Sequence, residues 1–426
     1  MKEEIHETRL DNGLTILTDR MEGVRSVTLG FFFRVGSRNE PDELNGISHF
    51  IEHAVFKGTR RRSAIELANE QDRLGGNLDA FTSHEETGFA IKVIDDQVAA
   101  AFGLIAEMLA EPRFDEADLE AEQRVIIEEI KMMDDSPEEF LGEIFHQAYF
   151  PGHPLGLSIA GTPESVRSFN SARTVSYHRE AFTPRNLVIA AAGSIEHDQL
   201  VTMAERVWNA NGDKRPVPPT ERKSAPYPAA PILIENRPEL EQAHVLLATP
   251  FVAAIDERRY AADLLANIVG GGTSSRLWQK IREERGLAYS VGASALLFSD
   301  CGIFSVSAAT SPAQVGEVID IAVDEMRLVV RNGVTDGELR LVKDQTRASI
   351  ILGLEDSAGR AATHAHSEMV HGRQIPLEET LAKLEAVTAS ELQAIASEFF
   401  KTESIAFAAL GDLGGLKMTR ERLAVV

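Results

Sequence analysis

His49, Glu52 and His53 lie close together in the segment Ser48-His49-Phe50-Ile51-Glu52-His53-Ala54. On a helix, two histidines at i and i+4 share a face and can hold one metal ion through their ring nitrogens. A carboxylate beside the second histidine can then reach a water bound to that ion, so the chemistry on offer is water activation. The order is the reverse of the familiar H-E-x-x-H. If residues 46–57 are helical, Ile47, Phe50, Ile51, Ala54 and Val55 gather on the opposite side. The same pattern would serve equally as the polar face of an ordinary amphipathic helix, so a second group has to decide between the two.

That group lies in Glu122-Gln123-Arg124-Val125-Ile126-Ile127-Glu128-Glu129-Ile130-Lys131-Met132-Met133, whose apolar stripe is Ile126, Ile130 and Met133. On a helical projection Glu129 falls about 60° and Glu122 about 40° from Ile126, inside the stripe, whereas Glu128 falls about 160° away. A carboxylate on a buried face needs a partner, because left alone it costs several kcal/mol or takes up a proton. A cation such as zinc would meet that need. Helical phase therefore selects Glu129 over Glu128, and places Glu122 where it could orient a histidine or the ligand carboxylate.

The elements that must carry these helices can be read from periodicity. Residues 26–35 and 88–93 predict strands, and residues 95–110 and 115–135 predict helices. Six of the 17 prolines then fall between Pro216 and Pro231, where neither helix interior nor central strand can form. Beyond them the order recurs: a strand at His244–Thr249, helices near Tyr260–Val269 and Arg276–Glu284, and strands at Tyr289–Leu297 and Ile303–Ala308. We expect domains at 1–215 and 232–426 joined by a linker over 216–231. His49–Thr59 can be laid on Asp263–Thr273 without gaps at a constant offset of 214 (263 − 49). In the second copy Asp263, Ala266 and Asn267 replace His49, Glu52 and His53, so only the first half could hold the metal.

Composition narrows the classes. The chain has 43% hydrophobic and 26% charged residues, and no stretch approaches the ~18 apolar residues of a membrane span. The net charge of −23 disfavours nucleic acid; it fits a cationic partner, or equally serves solubility alone. Glu85, Glu86 and Glu111 are candidates for focusing that charge on basic peptides. The single cysteine, Cys301, excludes multi-cysteine metal sites. The start, MKEEIHETRL, has no apolar core of a secretory signal, so the expected location is cytoplasmic.

These residues resemble the inverted-motif zinc peptidases of the insulinase, pitrilysin and mitochondrial processing peptidase family. Glu129 follows His53 by 76 residues (129 − 53), close to the family spacing. The resemblance implies one zinc per chain, held by His49, His53 and Glu129, with Glu52 as general base and Glu122 in support. It makes Asp79, Ala80 and Phe81 part of an edge strand that substrate extends, although many relatives carry Asn at the place of Asp79. It matches Arg282 and Tyr289 to a pair that holds a substrate carbonyl and stabilises the oxyanion. The implied fold is α+β: two homologous domains, each an antiparallel sheet layered with helices, forming half of a clamshell. A half-length chain would pair as a homodimer, or with a related chain, around a chamber in which short or unfolded peptides are hydrolysed. A non-catalytic core subunit of the same fold and a zinc-dependent peptide-binding module are the competing readings.

Two further signals are discounted. Gly270-Gly271-Gly272-Thr273-Ser274-Ser275 lacks the Gly-Lys-Ser/Thr ending of a phosphate loop and is expected to join two helices. His364 and His366 lie two apart on an expected helix, so they point about 200° apart and cannot share a metal. His153 is expected to be structural.

Overall fold

The computed structural model describes residues 4–208 and 225–425; the expected linker is therefore described only from Ala225 onward. Among the described residues eleven strands form two sheets. The first sheet contains β1 (Ile5–Arg9), β2 (Thr15–Arg20), β3 (Ser26–Phe33), β4 (Leu78–Thr82), β5 (Thr87–Ile94) and β6 (Leu187–Gly193), in the order β1-β2-β6-β3-β5-β4. The second contains β7 (Ile232–Asn236), β8 (Ala243–Phe251), β9 (Ala288–Leu297), β10 (Gly302–Thr310) and β11 (Ala406–Gly411), in the order β7-β11-β8-β10-β9.

Without β1, the two sheets have one topology. In each, the first and last strands of the set pair in parallel (β2 with β6, β7 with β11), and the other neighbours pair antiparallel. The duplication read from the gapless overlay is thus present in the strand connections. Each expected antiparallel sheet contains this one parallel pair.

Alternation along the central strands explains how the layers form. Val27, Leu29, Phe31 and Phe33 of β3, with Leu187, Ile189 and Ala191 of β6, face a core that includes Phe50 and Ile51. The intervening Val188, Ala190 and Ala192 face the other way and meet Ala361 and Ala365. These belong to the helix Ser357–His371. A sheet apolar on both faces must be covered on both, and small residues on strand and helix let the backbones approach closely. The second sheet shows the same logic: Ala406, Ala408 and Leu410 pack against Leu141, Phe145 and Tyr149, which belong to the helix Pro137–Tyr149.

The covering helices are exchanged between the halves of the sequence. One compact unit runs from the start of the described chain to Met132, from Leu157 through Trp208, and from Ile351 to Pro376. The other takes in Met133–Gly156, the described chain from Ala225 to Ile350, and the chain from Leu377 onward. The expected division into 1–215 and 232–426 is therefore interrupted twice. Its physical cause is the second apolar face of each sheet, which its own half leaves bare.

Buried charge fixes the exchanged helix Ser357–His371. Asp19 Oδ2 accepts from Arg360 Nη1 at 2.7 Å and pairs with His364 Nε2 at 2.9 Å, while Asp19 Oδ1 accepts from the Glu4 N–H at 3.1 Å. His364 is occupied in this way, with Gln374 on its other nitrogen, and His366 is exposed. Burial alone would raise the Asp19 carboxyl, yet its bonds to His364, Arg360 and Glu4 hold it below the ordinary carboxylate range. A carboxyl depressed in the folded state adds stability above its unfolded value, about pH 4, and that share is lost as pH falls through the folded value. Asp19→Ala is expected to cost about 3–5 kcal/mol, because it strands the Arg360 charge in the core. Urea unfolding from pH 7 down to 3 should show the gap between wild type and variant narrowing with acidification; a constant gap would contradict the assignment.

Candidate metal centre

The helix Ile47–Ala54 carries the first three groups. Its apolar side, Ile47, Phe50, Ile51 and Ala54, is buried as the periodicity requires. Its start is held by a residue that no sequence pattern singles out: Glu40 accepts from the backbone N–H groups of Gly46 and Ser48, each at 2.7 Å. A carboxylate at a helix N-terminus meets both the unpaired N–H groups and the positive end of the dipole. Burial nonetheless pushes the Glu40 carboxyl up to about 7. Gly46 has φ +94°, and a Cβ there would sit 2.6 Å from the Ala160 carbonyl oxygen, so both backbone angle and space demand glycine.

The helix Glu116–Asp135 carries the remaining candidate groups. Glu122 is 3% exposed and Glu129 half-buried, whereas Glu128 lies outside and pairs with Lys131 at 2.6 Å. Of the two neighbouring glutamates, the one that helical phase places inside the apolar stripe is thus the less exposed. His53 Nδ1 lies 2.9 Å from Glu122 Oε1, and His53 Nε2 lies 3.6 Å from Glu129 Oε2. The His49 and His53 rings meet edge to face at 4.6 Å. One ligand atom from each of His49, His53 and Glu129 falls within 4.8 Å of the others.

The electrostatics of this group suit a cation. Burial would raise Glu122, but its bonds to His53 and Lys57 outweigh burial and keep it ionised, with Lys57 Nζ 2.5 Å from Oε2. An ionised carboxylate only accepts, so His53 carries its proton on Nδ1 and turns the Nε2 lone pair toward Glu129. Burial lowers His53, yet Glu122, Glu129 and Glu52 together raise it; the carboxylates that favour a proton there would also favour a metal. Burial and the neighbouring His53 lower His49 to about 4, which keeps it neutral, the form that ligates. His49 Nδ1 is buried without a hydrogen-bond partner. The residues fit a three-ligand zinc site. Glu129→Ala should empty this site and Glu128→Ala should leave it filled; zinc measured by plasma mass spectrometry after dialysis gives the answer.

Glu52 is 8% exposed, and its Oε2 accepts from Thr82 Oγ1 at 2.7 Å. Burial raises its carboxyl, partly offset by Thr82. Thr82 ends β4, which closes one side of the first sheet and, among the described residues, pairs with β5 alone. Leu78 and Ala80 share a face of β4 with Thr82 and join the core around Phe50 and Ile51. Asp79 and Phe81 point the other way; Phe81, 42% exposed, meets Phe32 at 6.5 Å between ring centroids. Of the three expected substrate-strand residues, only Ala80 turns its side chain toward the metal helix.

Residues 15–163 match the family described as Insulinase (Peptidase family M16), and residues 168–346 match the Peptidase M16 inactive domain. A Streptomyces coelicolor protein named as an uncharacterised zinc protease is 36% identical over 399 residues, covering 92% of this chain and 87% of that one. The chain belongs to peptidase family M16. It is also 34% identical over 412 residues to the Bacillus subtilis protein YmxG, likewise named as an uncharacterised zinc protease, covering 95% of this chain and 98% of that one. Two solved structures share the fold of this M16 chain. A Helicobacter pylori protease superposes with TM-score 0.87 at 22% identity, over 96% of this chain and 99% of that one. A Pseudomonas fluorescens peptidase M16 inactive domain superposes with TM-score 0.89 at 19% identity, over 97% and 100%.

The M16 inactive-domain match spans Asp263, Ala266 and Asn267, the residues that the overlay lays on His49, Glu52 and His53. Arg282 and Tyr289 also belong to this unit and meet there: Arg282 Nη1 donates to the Tyr289 carbonyl oxygen at 2.7 Å, and the guanidinium lies 4.5 Å from the Tyr289 ring centre. Tyr289 is 78% exposed at the start of the edge strand β9. The connection between the two helices is shorter than expected: Gly270 and Gly271 still belong to the wide helical turn Asn267–Gly271, and a Cβ on Gly270 would meet the Ala293 nitrogen at 2.2 Å. His153 Nδ1 accepts from the Leu155 N–H at 3.1 Å. Among the acidic candidates, Glu85 pairs with Arg38 at 2.7 Å and Glu111 with Arg61 at 3.2 Å. Burial and then Glu85 raise the Glu86 carboxyl. Among the described residues no helix is long and apolar enough to cross a membrane.

Proposed function

We propose that this M16 chain is a zinc-dependent endopeptidase acting on short or unfolded peptides. The observation that carries the reading is the convergence of His49, His53 and Glu129 within 4.8 Å, beside a buried Glu52. A zinc ion held by these three residues would supply a Lewis acid for the scissile carbonyl and for water. Glu52 takes the proton of the attacking water and returns it to the leaving amine; its raised carboxyl and the Thr82 hydroxyl suit and aim that exchange. Glu122 holds the His53 ring in one tautomer, and Lys57 holds Glu122. The open edge of β4, ending beside Glu52, offers an extended substrate a strand to pair with. Arg282 and Tyr289 hold the substrate carbonyl and the developing oxyanion.

We further assign the chain to a homodimer, or a dimer with a related chain, enclosing the reaction. A preference for basic peptides rests on the net charge of −23 alone, given the pairing of Glu85 and Glu111. The test is cleavage of a quenched peptide library with and without chelator. Zinc-restorable loss of cleavage is expected. Metal-dependent peptide binding without cleavage would make the chain a binding module, and neither activity would make it a scaffold subunit.

A further inference from the structure

Arg282 lies against two aromatic rings. Its guanidinium is 4.1 Å from the Trp278 ring centre and 4.5 Å from that of Tyr289. The Trp278 indole is itself fixed, because its N–H donates to Glu283 Oε1 at 3.0 Å. Local backbone builds the stack. Trp278–Glu283 is wound more widely than an α-helix, with Glu284 N–H donating to the Gln279 carbonyl, five residues back. Gly286, at φ +61°, then turns the chain so that β9 returns beside the helix and lays Tyr289 over Arg282.

Among the described residues the Arg282 guanidinium donates only to the Tyr289 carbonyl and forms no ion pair. In a chain of net charge −23 such an arginine has spare donors in a fixed plane. We propose that Trp278 is a positioning residue for substrate: stacked on Arg282 and tied to Glu283, it holds the guanidinium with its free N–H groups ready for a peptide carbonyl. This rests on the reading above that Arg282 touches substrate. Removing the indole leaves a long side chain held by the Tyr289 ring and carbonyl alone, and the lost ordering must then be supplied on binding.

The experiment is a kinetic cycle on the zinc-loaded protein, using one quenched peptide that the wild type cuts. W278L should raise KM about tenfold with kcat nearly unchanged, the signature of lost binding common to ground and transition states. W278F, which keeps a stacking ring, should return to within about threefold of wild type. R282A should be impaired, and W278L/R282A should be no worse than R282A alone, because the indole acts through the guanidinium. An R282A enzyme equal to wild type removes the substrate role of Arg282 and the proposal with it. An impaired R282A combined with a neutral W278L, or with multiplicative losses in the double variant, overturns the role of Trp278 alone. Should W278L fail to fold, E283Q, which weakens the hold on the indole, takes its place: a rise in KM present with Arg282 and absent in R282A supports the proposal, and equal effects in both overturn it.

Discussion

Glu52→Gln should retain its zinc and lose turnover by roughly 10²–10⁴-fold, the usual worth of a placed general base. The amide keeps the shape of the carboxylate, and its oxygen can still accept from Thr82 Oγ1, so the ligands around it are undisturbed. It also removes a carboxylate that burial has raised, so thermal stability should be equal or higher. His49→Ala, His53→Ala and Glu129→Ala should behave in the opposite way, losing metal and activity together, since each removes one of three ligands. Metal content, kcat and unfolding temperature measured on the four variants separate the classes. A metal-free Glu52→Gln, or one that still cuts peptide at a tenth of the wild-type rate or better, would show that Glu52 is not the base.

Mixing Glu52→Gln with Tyr289→Phe should restore about a quarter of wild-type activity, although each variant alone is nearly inactive. The zinc group and the Arg282/Tyr289 pair belong to different compact units of the chain. We propose that, in the dimer inferred above, a zinc site on one chain is completed by Arg282 and Tyr289 of the other. Random exchange makes about half the dimers mixed, and in each of these one site is intact and the other doubly damaged. Tyr289→Phe is the suitable partner because the ring stays over Arg282 and only the hydroxyl is lost. Activity should grow as native mass spectrometry records the mixed dimers forming. Complete exchange with no recovery would place every catalytic group in one chain.

Much of the candidate site is legible in the order of the amino acids. Helical phase is a local property, so the choice of Glu129 over Glu128 needs only the position of Ile126, and the buried Glu122 and exposed Glu128 agree with it. Apolar alternation likewise locates β3, β5, β8, β9 and β10 close to their observed limits. The shared pattern of the two halves is visible as a gapless overlay and returns as one strand topology used twice.

What stays hidden are contacts between residues far apart in the chain that share no period. Glu40 caps the metal helix through a loop that carries no repeating pattern, and Thr82 reaches Glu52 only because β4 lies at the sheet edge beside that helix. Lys57 joins Glu122 across two elements, a pairing of opposite charges that many lysines in the sequence could have made. Asp79 and Phe81 were expected with the substrate strand, but alternation states only that they oppose Ala80; which face meets the metal helix is set by packing. The exchange of the helices Pro137–Tyr149 and Ser357–His371 is the largest such case. Each helix has an ordinary amphipathic pattern, which says that one side will be buried and not against which sheet. The amino-acid sequence determined which side chains of the two helices share the candidate metal face and that the fold repeats, because helical phase and strand alternation are local geometry; tertiary structure decided which half covers which sheet, because that depends on where a bare apolar face remains.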